Sequence, residues 1–477
     1  MFLHGLSSYL LGNLHVCISV IRRLKNNQDC FIPLITGRRR QLSSRPKLLV
    51  LLCRAVYPMS MRNAKVMVFV AIFYILAPAC WAADSSVMLH RVKKGETLKK
   101  IASMYLSYSA AYTTDELIRD IEEVNGISSS TDIKPGQAIK IPVISDRPIS
   151  ARSVERPRDF IARGVYINRW TAGSRKVFTI VNRITRVGGN TIVFDAKDVT
   201  GSLSYASSIP RIFCPDARYR PTIEDVPKLV DFLHLMGIHV VARVCVFKDM
   251  LMSDVMPHWS IRRDWINPAD PEVQDYIIDI LKELASLGVD EIQLDYLRYP
   301  SDGQNASPGT SKTRSDVITS FLKRVNHELK PRGILLSMDV FGIVLWKHSQ
   351  DITTLGQDIA RLAPYLDVIS PMLYPSHFAD NFSGISNPAD RPYLFVSQGI
   401  LRLKSIVGPN VIIRPWLQAF PLKITKGFGP GFIQRQIEAA SDSGARGWLL
   451  WSPGNFYRPA FIAMDKIASK GITKKTQ

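Results

Sequence analysis

Cysteine is scarce in this chain and sits mostly where a fold can least use it. Of six cysteines, Cys17, Cys30 and Cys53 fall in the first 60 residues and Cys80 in the apolar segment that follows. Cys214 and Cys245 alone remain, too few for a disulfide framework. Two cofactor signatures are also missing. No G-x-G-x-x-G follows the first strand-like run, and no H-E-x-x-H or other compact ligand set occurs, so neither a cofactor nor a metal is expected. Beyond residue 65 there is no run of Lys or Arg and no basic helix. A formal net charge of +20 suggests a nucleic-acid footprint at first sight. Eleven Lys or Arg against the single acid Asp29 place half of it in residues 1–65, and the other half is dispersed. No nucleic-acid partner is expected.

What is present is globular material. Contents of 46% hydrophobic and 21% charged residues support a sizeable core. A length of 477 residues suits one large domain with a smaller companion, or two to three small ones. Residues 66–82, VMVFVAIFYILAPACWA, follow Arg62 and Lys65 and end in small residues. That order marks residues 61–82 as a secretory signal peptide, with an uncleaved anchor as the alternative. Its distance from Met1 makes Met59 or Met61 natural starts, and residues 1–60 a spurious or disordered extension. LAPAC, ending at Cys80, offers a lipid anchor. The protein is therefore expected to be exported, to the periplasm, cell envelope or extracellular space. It would meet a membrane only through an uncleaved signal or a lipid.

Residues 88–144 open with LHRVKKGETLKKIASMY and close with VNGISSSTDIKPGQAIKIPV, two strand-like ends around two helical stretches. Thr97 can cap a helix whose Leu98, Ile101, Ala102 and Tyr105 form one apolar face. Asp115 to Val124 reads as the second helix, and Gly95 and Pro135-Gly136 supply turns. V-x-x-G-E-T-L-x-x-I-A, Asn125 and K-P-G-Q-x-I-x-I-P together resemble the lysin motif, a βααβ module that binds peptidoglycan or other N-acetylglucosamine polymers. The stretch from Ser107 to Thr114 is longer than the motif's. The resemblance implies sugar contacts at Gly95, Glu96, Thr97 and Leu98 and at Ile133, Lys134, Pro135 and Gly136. A folded spacer is the alternative.

Residues 145–159 are polar and proline-bearing, the composition of a linker. Over residues 160–472 apolar runs alternate with helical stretches, as in a parallel sheet covered by helices. The runs are 163–168, 191–198, 238–249, 290–300, 334–342, 367–375, 411–420 and 447–453. Helices are expected at Val226 to Met236, Val273 to Leu287 and Arg314 to Leu329, with Gly237 and Gly288 as stops. Eight βα units predict an α/β fold, a (β/α)8 TIM barrel; a doubly wound sheet is the alternative. In a barrel, active residues sit at the carboxyl ends of strands. Asp195 and Lys197-Asp198 end the second run, Lys248-Asp249 the third, Asp295 and Arg298 the fourth, and Asp339 the fifth. Tyr374 and His377 end the sixth, Gln418 the seventh and Trp451 the eighth.

Flat rings among acids suit a sugar site, because pyranose faces stack on aromatics. Glycoside hydrolysis needs one carboxyl held protonated and one ionised. Asp295 and Asp339, from neighbouring strands, are the expected catalytic pair, with Asp198 as another candidate and the stereochemistry open. Asp195, Tyr296, Arg298, Tyr374, His377, Trp416, Gln418 and Trp451 are the expected polysaccharide contacts.

The motifs RGVYI, VFDAKD, ARVCVFKD, DEIQLDYLRYPSDG, DVFG, DVISPMLYPSHF, RPWLQAF and GWLLW, in that order, resemble a bacterial glycosyl hydrolase family related to the α-amylases. The resemblance implies a glycosidase-type site with Asp295 as nucleophile or base. Two departures stand out. Ala419 replaces an acid that the family carries after its seventh-strand Gln. Tyr296 and Leu297 follow Asp295, where chitinase-like barrels place a catalytic Glu, which disfavours substrate-assisted chemistry. A hydrolase is the first expectation; a barrel that binds polysaccharide without turnover, or a transglycosylase, are the others.

Overall fold

The computed structural model describes residues 86–128, 132–155, 157, 159–301 and 311–473, all within one unit, Asp84–Gln477. The expected extension, signal segment and lipid-anchor cysteine lie outside the described residues. No described helix is long and apolar enough to cross a membrane.

The first module is βααβ. Strand β1 (Ser86–Arg91) pairs antiparallel with β2 (Ala138–Val143), and α1 (Leu98–Tyr105) and α2 (Thr114–Asn125) pack over them. Thr97, in extended conformation, accepts from the Lys100 N–H and starts α1. Gly95 and Gly136 have φ of +83° and +87°, the left-handed turns that glycine makes readily. The core joins Leu98, Ile101, Leu117, Ile121, Ile139 and Ile141, all fully buried. Asn125 ties α2 to β2, accepting from the Lys140 N–H at 2.8 Å and donating to the Lys140 carbonyl at 2.7 Å.

The second module is the expected barrel. Its strands are β3 (Ala162–Ile167), β4 (Thr191–Lys197) and β5 (His239–Cys245). A small antiparallel pair follows in the next loop, β6 (Ser260–Arg262) and β7 (Trp265–Ile266). The barrel continues with β8 (Glu291–Asp295), β9 (Leu335–Val340), β10 (Val368–Leu373), a seventh strand in two pieces, β11 (Ile412–Ile413) and β12 (Trp416–Gln418), and β13 (Gly447–Trp451). All eight barrel strands are parallel, and β13 pairs with β3 to close the ring. Pro415, which has no N–H to donate, lies where the seventh strand divides.

Helices follow each strand. After β3 come α3 (Arg169–Ala172) and α4 (Lys176–Arg186), and after β4 come α5 (Ile209–Phe213) and α6 (Val226–Leu235). After β5 come α7 (Met250–Val255) and α8 (Pro271–Ser286); α9 (Arg314–Leu329) follows β8. The fifth crossover holds α10 (Ser349–Leu355) and the four-residue α11 (Ile359–Leu362), and α12 (Pro392–Val407), α13 (Pro430–Asp442) and α14 (Arg458–Thr473) complete the layer. The three helices expected from periodicity match α6, α8 and α9 to within two residues.

One apolar layer lies between strands and helices. A smaller cluster fills the barrel: Tyr166, Val193, Val241, Tyr374, Trp416 and Leu449. Much of the remaining interior is polar, with His239, Glu291, Gln293, Ser337, Ser370 and Arg414 buried.

Candidate active site

Strand alternation selects the site. On β5 the inward set is His239, Val241, Arg243 and Cys245; on β8 it is Glu291, Gln293 and Asp295. Asp195 stands opposite Arg243 in the β4–β5 register, and Cys245 opposite Asp295. Leu294 stands opposite Met338, which sets Asp295 and Asp339 side by side one step further on.

Arg243 holds the centre. Its Nη1 donates to Asp195 Oδ1 at 2.5 Å, and its Nη2 and Nε donate to Asp295 Oδ2 at 2.6 and 3.0 Å. The same Nε lies 3.9 Å from Asp339 Oδ2. Asp295 Oδ1 accepts from the Tyr296 N–H at 2.6 Å. Asp339 has fewer donors: Trp416 Nε1 reaches its Oδ1 at 2.7 Å. Burial, and next the negative charge of Asp295, push the Asp339 carboxyl well above its ordinary range. Asp195 accepts from the Tyr166 hydroxyl at 2.5 Å, and burial raises its pKa also. The two Oδ2 atoms of Asp295 and Asp339 are no further apart than the sum of their distances to the shared Nε. That limit reaches the ~5–5.5 Å of retaining pairs and the ~6.5 Å where inverting pairs begin.

Aromatics wall the centre. Tyr166 and Trp451 stack at 3.9 Å and 21°, and Trp416 meets Trp451 edge-on at 5.5 Å. Arg243 lies 5.0 Å from the Trp451 ring centre. Tyr374 is buried and meets His377 at 5.2 Å and Phe420 at 5.7 Å. His377 is exposed, and burial of part of its ring, then Lys423, lower its pKa. Tyr296 has a φ of +51°, a conformation rare for a bulky side chain and recurrent at functional sites. Arg298 sits 5.0–5.1 Å from the centres of Trp265, Tyr296 and Phe341.

Other expected residues make contacts within the fold. Asp198 accepts from the Thr200 N–H and pairs with Arg169 at 3.3 Å as part of a turn, and its charge adds to the rise in the pKa of Asp195. Lys197 and Asp249 form an ion pair with each other at 2.8 Å, fully buried. Gln418 is also internal, accepting from the Ser376 N–H and donating to the Phe420 carbonyl. In the first module, Glu96 accepts from the Lys93 N–H and lies 2.9 Å from His90 Nε2, and Leu98 is core. Ala419 is buried in the large apolar cluster, so the position where the family carries an acid is apolar here. Among the described residues no cluster of three or more His, Cys, Asp or Glu could hold a metal.

Arg243, Tyr166 and Trp265 were not among the expected site residues. Arg243 carried a legible signal, since a guanidinium inside the apolar run IHVVARVCV requires buried partners.

Residues 164–457 match the family model described as "Putative glycosyl hydrolase domain". The chain belongs to that family. Its barrel is thus a glycosyl hydrolase domain, and residues 90–142 match the LysM domain. No curated protein matches. Among solved structures, a hypothetical protein from Ruminiclostridium thermocellum ATCC 27405 is 30% identical, with 38% of this chain and 100% of that one covered and a TM-score of 0.35. The PgaB (BpsB) glycoside hydrolase domain from Bordetella bronchiseptica is 13% identical over 65% and 98%, with a TM-score of 0.46. The spore cortex-lytic enzyme SleL from Bacillus megaterium QM B1551 is 12% identical over 79% and 85%, with a TM-score of 0.42.

Proposed function

We propose that this glycosyl hydrolase is exported and cleaves an envelope or extracellular polysaccharide, with Asp339 as general acid and Asp295 as nucleophile or base. The observation that carries the reading is the unequal treatment of two adjacent carboxyls around one guanidinium. Asp295 receives two Arg243 donors and a backbone N–H, the setting of a carboxylate. Asp339 receives one indole donor in a buried setting that favours its proton. Such a separation of environments assigns the acid and its partner. Asp295 and Asp339 are only 5% and 2% exposed, so the scissile bond has to descend past Trp451 and Tyr296, both partly exposed.

The lysin motif supplies affinity for peptidoglycan or another N-acetylglucosamine polymer through the loops at Gly95–Thr97 and Ile133–Gly136, where the Gly136 N–H bonds to the Val92 carbonyl and brings the two loops together. One observation favours a second reading, binding without turnover: both oxygens of Asp295 already accept hydrogen bonds, Oδ2 two from Arg243 and Oδ1 one from the Tyr296 N–H. Reducing-end release from a panel of peptidoglycans and exopolysaccharides separates the two. The hydrolase reading expects release by the purified parent and its near-abolition in Asp295→Asn. Glycan binding that survives Asp295→Asn, with no release by the parent from any polymer, would establish the second.

A further inference from the structure

The stretch between α1 and α2 exceeds the lysin-motif pattern, and its extra residues pack on the barrel. Tyr112 is 4% exposed and belongs to the barrel's outer apolar layer. Its ring meets Phe178 edge-on at 4.9 Å, and its hydroxyl donates to the Ala172 carbonyl. Across from it, Lys228 on the first turn of α6 is fully buried. Its ammonium donates to the Leu106 carbonyl and, at 2.8 Å, to the Ala111 carbonyl. Glu224 accepts from the Thr114 N–H at 2.8 Å and from its hydroxyl, and Arg175 reaches Glu116 at 2.8 Å.

The connecting segment is fastened as well. The Ile144 N–H donates to the Tyr108 carbonyl and the Ile149 N–H to the Ser107 carbonyl. Arg152 then reaches Asp231 at 2.7 and 3.2 Å, and its carbonyl lies 2.8 Å from His234 Nδ1. Separating the modules would break the Lys228, Glu224 and Tyr112 hydrogen bonds together and return the buried Tyr112 ring to water, so the contact is held by polar and apolar terms at once. A free linker would raise local concentration but set no register. Here the joint is a built interface. The glycan loops implied by the lysin motif lie at the other end of α1, about 12 Å from the joint by helical rise.

We propose that the lysin motif and the barrel move as one rigid body, a fixed arm that holds its glycan loops at a set offset from the Asp295–Asp339 cleft. Its ligand is therefore a polymer long enough to engage both. The polymer-length claim rests on the glycoside hydrolase reading; the rigid joint stands apart from it.

Calorimetry of the full chain tests the joint. The parent melts in one transition, and Lys228→Ala releases a separate, earlier transition for the small module while the barrel's stays in place. Tyr112→Phe and Arg175→Ala, milder changes at the same contact, give intermediate behaviour if Lys228→Ala fails to fold. Two resolved transitions in the parent, or one unshifted transition in all three variants, overturn the proposal. The second arm measures Kd for peptidoglycan glycan strands and for a tetrasaccharide from them, in an Asp339→Asn background so that turnover does not intervene. Loosening the joint weakens polymer binding by at least about tenfold and leaves the tetrasaccharide unchanged. Equal affinities with a split transition mean that the joint serves stability alone, and the fixed-arm claim falls. A parent that cleaves nothing yet melts as one unit removes the hydrolase reading and leaves the joint standing.

Discussion

Arg243 and Asp339 show how a single residue can set the chemistry of its neighbours. A guanidinium within a barrel strand organises three aspartate side chains, and its planar fork explains why lysine could not replace it without loss of the paired contact to Asp295. Asp339 lies just beyond that fork, at 3.9 Å, and its surroundings oppose ionisation. This carries a stability consequence of definite sign. Its folded pKa stands above its unfolded value, so the folded state holds the extra proton between the two, and stability falls as pH rises through that window. Asp339→Asn removes the ionisable group while keeping an oxygen for Trp416 Nε1. The variant is therefore expected to melt above the parent at neutral pH, with the difference vanishing below the unfolded carboxylate range. Melting temperatures of both across pH check this; a variant less stable at neutral pH contradicts the protonated assignment.

At the scale of elements, the carboxyl ends of the strands divide the polar residues into used and structural. Lys197 ends β4, Asp249 caps α7, and their fully buried pairing ties the second βα loop to the third; the ammonium also donates to the Cys245 carbonyl at 2.7 Å. Lys197→Met leaves Asp249 buried without its cation and is expected to cost about 3–5 kcal/mol in urea unfolding. A loss below 1 kcal/mol would show the aspartate resolvated by water.

The same elements show what the sequence discloses. The eight strands were legible because buried parallel strands are continuous apolar runs ended by polar residues. Their partners were not: Asp195, Asp249 and Asp198 all occupy strand ends, and only the register that sets Arg243 opposite Asp195 tells which acid faces the interior. Trp265 belongs to the β6–β7 pair inside a loop, where no barrel periodicity points to it. The long stretch after α1 was visible as a departure from the lysin motif, but its use as a joint depended on Lys228, more than a hundred residues away.

In the whole molecule, a lysin-motif module is bonded to the flank of a barrel whose interior holds an arginine, three aspartates and a wall of tryptophan and tyrosine. The chemical claim underlying this arrangement is that Asp339 delivers a proton to the leaving oxygen. A leaving group that needs no proton bypasses that step. The decisive measurement is turnover of Asp339→Asn on the cleaved polysaccharide and on an activated aryl glycoside of the same sugar. The account predicts a loss of about 10²–10⁴-fold on the polysaccharide and little loss on the aryl glycoside. Equal losses on both substrates, or no loss on the polysaccharide, would contradict it.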